Sequence, residues 1–167
     1  MRKIFRITLL ILLPLTLFAQ GNSALKTQAD LVAQAVVSGN YSTVIDYMYP
    51  KVIQMSGGKA KLLQMMTTGI NQMKTQGVSF INASVGTPGK FYKAGTEIHC
   101  LVPEIINMKT PGGTFAVHSN LLAISKDKGK NWTFLDLNKN TIAQIPKLFP
   151  NFNKELVIPE PSMPAMQ

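Results

Sequence analysis

Apolar side chains follow two rhythms along this chain, and the change between them falls near Gly77. From Ser23 to Ser38, Leu25, Ala29, Val32 and Val36 recur at steps of four, three and four, with Gly39 just beyond. That spacing predicts an amphipathic helix with a glycine stop. Ser42 is placed to cap a shorter helix over Thr43–Met48, and Pro50 forces a bend before Lys51–Met55, because the residue preceding proline is pushed out of helical geometry. After Gly57 and Gly58, Leu62, Met66, Ile70 and Met73 predict a third helix ending at Gly77. Its methionines are read as adaptable core filler, without a metal or cofactor role.

From Val78 the period becomes two: Ile81, Ala83 and Val85 alternate with Asn82 and Ser84, which predicts a strand. Thr87-Pro88-Gly89 is a turn, Lys90–Lys93 is extended, and Ala94-Gly95 permits a kink before a long strand over Glu97–Met108. Pro103 within it marks an edge or a bulge, because proline donates nothing to a ladder. Pro111-Gly112-Gly113 turns the chain back into Thr114–Ser125, with Phe115, Val117, Leu121 and Ala123 on one face. Another hairpin leads into Asn131–Leu137. A short Thr141–Leu148 segment is interrupted by Pro146, and Pro150, Pro159, Pro161 and Pro164 predict an extended or mobile end.

Helices followed by long antiparallel strands define an α+β class, with three N-terminal helices packed on one face of a curved antiparallel sheet of about four strands. This element order resembles the NTF2-like, or cystatin-like, superfamily over roughly Ser23 to Leu137, including the bent helix that contains Tyr47-Met48-Tyr49-Pro50. The resemblance implies a cone with a pocket between sheet and helices. It also implies that any acid/base chemistry would use a carboxylate or histidine in a dry cavity, often beside a tyrosine. Asp46, Tyr47, Tyr49, Glu104 and Asp136 are the available parts. Asp46 is more simply a helix-dipole partner, and Asp136 is placed to close the last hairpin.

Ser125-Lys126-Asp127-Lys128-Gly129-Lys130-Asn131-Trp132 fits S-x-D-x-G-x-x-W and resembles the Asp-box hairpin of sialidases and other propellers. Its reading is structural: Asp127 bonds backbone amides in the turn, Gly129 takes positive φ, and Trp132 covers the hairpin. A single box and no arginine after Arg6 argue against a sialidase. His99 and His118 are too few for a zinc set, and His99 and Cys100, as strand neighbours, point to opposite faces. The expected hairpin register sets Asn107 across from His118, with Asn120 on the same face, forming either a polar patch within a pocket or a solvated sheet face. Tyr47, Glu104, Asn107, His118 and Asn120 are therefore the candidate binding residues. Cys100, within Ile98-His99-Cys100-Leu101-Val102, reads as a small buried hydrophobe. No metal or cofactor is expected.

Charge and the N-terminus limit the function classes. Arg2, Lys3 and Arg6 precede an apolar run from Ile7 to Phe18 and then Ala19, the layout of a cleavable signal peptide over residues 1–19 with no cysteine for lipid attachment. The run is shorter than the roughly 20 residues of a membrane-spanning helix. The expectation is secretion or a periplasmic location, with one domain over residues 20–150 and a Pro-rich tail over residues 151–167. Beyond residue 19 the chain carries 14 lysines, no arginine and 8 acids, which disfavours specific phosphate or nucleic-acid recognition. With a single cysteine, no internal disulfide forms. The favoured expectation is a noncatalytic binding domain for a small apolar or amphipathic molecule or a protein partner. The alternatives are an NTF2-like enzyme using His118 or Glu104 for proton transfer or hydration, and a surface-associated protein that engages acidic polymers through its lysines.

Overall fold

The computed structural model describes residues 15–160 and 165–166, with side chains described from Asn22 to Glu160. The expected signal peptide lies largely in residues 1–14, outside the described residues. Helix α1 (Leu15–Ser38) is followed by α2 (Tyr41–Asp46), α3 (Pro50–Met55) and α4 (Lys59–Thr75). Strands β1 (Ser79–Val85), β2 (Tyr92–Ala94), β3 (Glu97–Thr110), β4 (Gly113–Ser125) and β5 (Thr133–Asp136) come next, then α5 (Lys139–Leu148) and a short β6 (Ala165–Met166). The class is α+β. The main sheet path is β1-β3-β4-β5, with β2 also pairing β3 and β6 pairing β4, all antiparallel.

Helix α1 buries Leu25, Ala29 and Val32 of the expected stripe, leaves Val36 half-buried, and adds Ala33 and Ala35. That stripe meets Ala83 and Val85 of β1, Cys100 and Val102 of β3, Leu121 and Ala123 of β4, and Phe134 of β5, which together form the first core. The next helix begins earlier than expected: its cap is Asn40, whose side chain accepts from the Thr43 amide, rather than Ser42. Pro50 occupies the first turn of α3, where its missing N–H costs nothing.

Two expectations about the helices are corrected. Helix α4 packs against α2 and α3, not against the sheet; within it only Leu62 is buried, and Met65 is 56% exposed. Helices also do not stay on one face. The second face is covered by Tyr49 at the start of α3, by Ile145 and Leu148 of α5, and by Phe149 and Leu156 beyond it, packed on Leu122, Ile124 and Leu135. The run Leu121–Ser125 is buried at every position, as a strand sandwiched between two layers must be. This second core includes Phe149 and, from the Pro-rich tail expected to be extended or mobile, Phe152, Leu156 and Ile158.

Pro146 lies inside α5. Placed in the last turn, it deprives only the Ile142 carbonyl of a helical partner. The helix ends at Leu148, where Lys51 Nζ donates to the carbonyls of Lys147 and Leu148 at 2.8 and 3.2 Å. This satisfies orphan acceptors with a cation at the negative end of the helix dipole.

The sheet departs from strict alternation in β1. Between Phe80 and Asn82 the register shifts, and Ile81 turns outward, 48% exposed, instead of joining Ala83 and Val85. A bulge of this kind blunts an edge strand, and Gln34 of α1 covers the same edge by donating to the Ala83 carbonyl at 3.1 Å. The opposite edge, β5, exchanges backbone hydrogen bonds with Tyr47 and Tyr49. Pro103 faces the gap between β1, which pairs as far as Glu104, and β2, which pairs as far as His99. It therefore sits at a local edge.

Cys100 is fully buried, its Sγ lies 3.4 Å from the Gly89 carbonyl oxygen, and burial pushes its thiol up to about 11 against the opposing effect of that hydrogen bond. The native thiol is therefore expected to resist an aromatic disulfide reagent at about pH 8. The chain unfolded in guanidinium should react to one equivalent, and fast labelling of the native protein would contradict the burial.

Candidate functional site

Antiparallel pairing determines which side chains meet. Partners across a ladder share a face, and successive residues alternate. Glu104 pairs with Ser119 and Leu121 pairs with Asp136, so both acids stand on the face that α1 covers, among Val102, Ile106, Leu121 and Phe134. They border a pocket of about 330 Å³ closed by Val32 and Val36 of α1, Val44 of α2, and Tyr47 and Met48 of the following link. The rest of its wall is mainly aliphatic, with Asn138 at the rim. Tyr47 lies 6.5 Å from the Phe134 ring, measured between centroids.

Glu104 is 4% exposed. Its Oε2 accepts from Ser119 Oγ at 3.2 Å. Burial pushes its carboxyl up to about 7; the neighbouring Asp136 charge adds to this, and the Ser119 hydrogen bond opposes it. Asp136 is also held above the ordinary carboxylate range by partial desolvation, against a 3.1 Å hydrogen bond from Asn138 Nδ2. No lysine borders this pocket. The buried Glu104 and the exposed Asp136, with no lysine beside them, can hold or exchange protons and accept from hydrogen-bond donors.

Of the candidate binding residues, Tyr47, Glu104 and His118 border this pocket, whereas Asn107 and Asn120 do not. The expected register is corrected by two residues: Asn107 pairs with Ala116, and His118 pairs with Ile105. The reason is the turn. Only Pro111 and Gly112 form the loop, while Gly113, at φ 126°, already pairs with Thr110, whose Oγ1 accepts from the Gly112 amide. Because the shift is even, Asn107, His118 and Asn120 keep a common face, and it is the face opposite Glu104. His118 and Asn120 border a second recess of about 310 Å³ beside Pro103, Ile105 and Pro159. Asn107 instead donates to Asn82 Oδ1 at 2.7 Å across β1 and β3.

A second polar cluster, not expected from the sequence, joins Glu97, His99 and Tyr49. Glu97 lies 3.0 Å from His99 Nε2, accepts from the Tyr49 hydroxyl at 3.2 Å, and has Lys126 Nζ at 3.4 Å. Burial, then the Glu97 charge and hydrogen bond, push the Tyr49 phenol up to about 12. His99 is enclosed by Phe149 and Phe152, at centroid distances of 5.0 and 5.6 Å. The cluster ties α3, β3 and the C-terminal segment together.

The hairpin at Ser125–Trp132 is a closed network. Ser125 Oγ donates to Asp127 Oδ1 at 2.9 Å and accepts from the Gly129 amide at 2.9 Å. Asp127 accepts from the Lys130 and Asn131 amides at 3.1 and 2.9 Å and from Asn131 Nδ2 at 2.6 Å. Desolvation pushes its carboxyl up, but these hydrogen bonds outweigh it and hold the carboxyl below the ordinary range. Lys128 and Gly129 take positive φ, 63° and 88°. Trp132 Nε1 donates to the Gly129 carbonyl at 3.0 Å, and its ring stacks on Phe91. Gln28 of α1 grips the hairpin from both sides, donating to the Lys130 carbonyl and accepting from the Trp132 amide.

Among the described residues no group of three or more His, Cys, Asp and Glu side chains is placed to hold a metal ion, and no helix is long and apolar enough to cross a membrane. Comparisons with protein families, with curated proteins and with solved structures return no match to this chain.

Proposed function

We propose that this chain is an exported, noncatalytic binding domain that holds a small apolar or amphipathic molecule between α1, α2 and the sheet, in the manner of an NTF2-like cone. The observation that carries the reading is the pocket of about 330 Å³ with aliphatic walls and one buried carboxyl, Glu104. Apolar walls supply affinity by removing hydrocarbon from water, and a few polar groups fix orientation. The volume lies at the small end for such sites, which suits a chain of several carbons rather than a polycyclic ligand. The charged N-terminus followed by an apolar run supports export.

Calorimetric titration with 1-octanol tests this reading. Saturable binding with a negative heat-capacity change is expected, and it should disappear in Val36→Trp, which fills the pocket from α1. Binding that persists unchanged in that variant would place the ligand elsewhere, and absence of binding to the native chain would remove the reading.

A second reading draws on the Glu104 carboxyl itself, which is pushed up to about 7 and borders an open recess. Such a group takes and returns a proton near neutrality, as a general acid or base must. Under this reading Glu104→Gln abolishes turnover of a substrate that the pocket still binds.

A further inference from the structure

We propose that the ligand of this pocket carries a protonated amine, seated between Glu104 and Asp136 while its hydrocarbon body lies against Val32, Val36 and Ile106. The inference rests on the reading of the pocket as a ligand site and names the class of molecule it takes.

Several observations converge on a cation. The ladder sets Glu104 opposite Ser119 and Asp136 opposite Leu121, so the two carboxyls rise from one sheet face on the same side of the molecule. Glu104 is 4% exposed, and its Oε2 accepts from Ser119 Oγ at 3.2 Å. Asp136 is engaged at Oδ2 by Asn138. Lysine makes the chain basic overall, yet none of the lysines borders this pocket, while two of the chain's 8 acids do. A buried carboxyl without a cation stays protonated, and a cation that enters favours its charged form.

An ammonium group fits what is missing. It has three N–H donors and no acceptor, matching the acceptor oxygens of Glu104, Asp136 and Ser119 that border the pocket. An alcohol offers a single donor, and a carboxylate ligand meets two like charges. The aliphatic side of the pocket requires hydrocarbon beyond the head group, so small hydrophilic amines are excluded by the same geometry.

Titration with octylammonium, 1-octanol and octanoate at about pH 7.5 separates the possibilities. Octylammonium is expected to bind at least about tenfold more tightly than 1-octanol, with octanoate weakest. In Glu104→Gln and in Asp136→Asn the gap between amine and alcohol should fall below about threefold. Circular dichroism of each variant checks that the fold persists. Equal affinity for amine and alcohol in the native chain, or a gap that survives in both variants, overturns the amine inference and leaves the pocket reading standing. Failure of all three probes to bind removes both.

Discussion

Replacing Trp132 with alanine is expected to destabilise the fold by about 3 to 5 kcal/mol, the usual cost of emptying a large aromatic site in a packed core. Trp132 is 2% exposed, stacks on Phe91 at 5.6 Å, and donates to the Gly129 carbonyl from within the hairpin that Gln28 holds. Its loss removes apolar contact between α1 and the sheet and leaves that carbonyl without its partner. A domain of this size has a total stability of roughly 5 to 15 kcal/mol, so the variant should be partly unfolded at physiological temperature. Trp132→Phe should cost less, about 1 to 3 kcal/mol, chiefly for the lost hydrogen bond and smaller ring. Trp132 is the only tryptophan, so denaturant unfolding has to be followed by circular dichroism. A loss below about 1 kcal/mol in the alanine variant would contradict the packing described here.

Glu104→Gln is expected to act in the opposite direction. Burial, reinforced by Asp136, pushes the Glu104 carboxyl from its ordinary 4.5 up to about 7, so the folded chain holds this proton more tightly than the unfolded chain does. Between those two values the native state binds the extra proton, and stability falls as pH rises through the window before levelling off above it. Glutamine keeps the shape and never ionises. The variant should therefore match the parent within about 1 kcal/mol near pH 4.5 and exceed it by up to about 3 kcal/mol at about pH 8. Asp127 works the other way: held below its ordinary range by the hairpin, it contributes stability that is lost only as pH falls into the acid range. Urea midpoints measured across pH give both slopes. A Glu104→Gln variant no more stable than the parent at alkaline pH would show that the carboxyl is not desolvated.

Much of this arrangement was legible in the residues. The stripe Leu25, Ala29, Val32 and Val36 announces α1, and Ser125, Asp127, Gly129 and Trp132 announce the hairpin, because both rest on local spacing. The signal for Glu104 was also present: it interrupts the series Cys100, Val102, Ile106 on the face of β3 that α1 buries, so a charge stands where alternation demands an apolar side chain. Asp136 breaks the series in β5 in the same way after Phe134. The register of β3 and β4 was less legible, because Pro111-Gly112-Gly113 is compatible with loops of different length and each choice slides every partner. Ile81 was misplaced because a bulge leaves the two-residue rhythm intact in the sequence while turning one residue out of line. The second core was hidden by composition: proline around Phe149, Phe152 and Leu156 suggests a loose end, and only the unbroken run Leu121–Ser125 reveals that both sheet faces are covered.

Gln28 and Gln34 anchor α1 at opposite sides of the sheet, to the hairpin beyond β4 and to the carbonyl of Ala83. A helix fastened at two such points does not swing away as a rigid body without breaking both attachments. Under the proposed binding role, entry to the recess beneath it would fall to its other bordering elements, α2 and the exposed Asn138. Stiffening those elements would, under that role, slow escape without strengthening any contact inside.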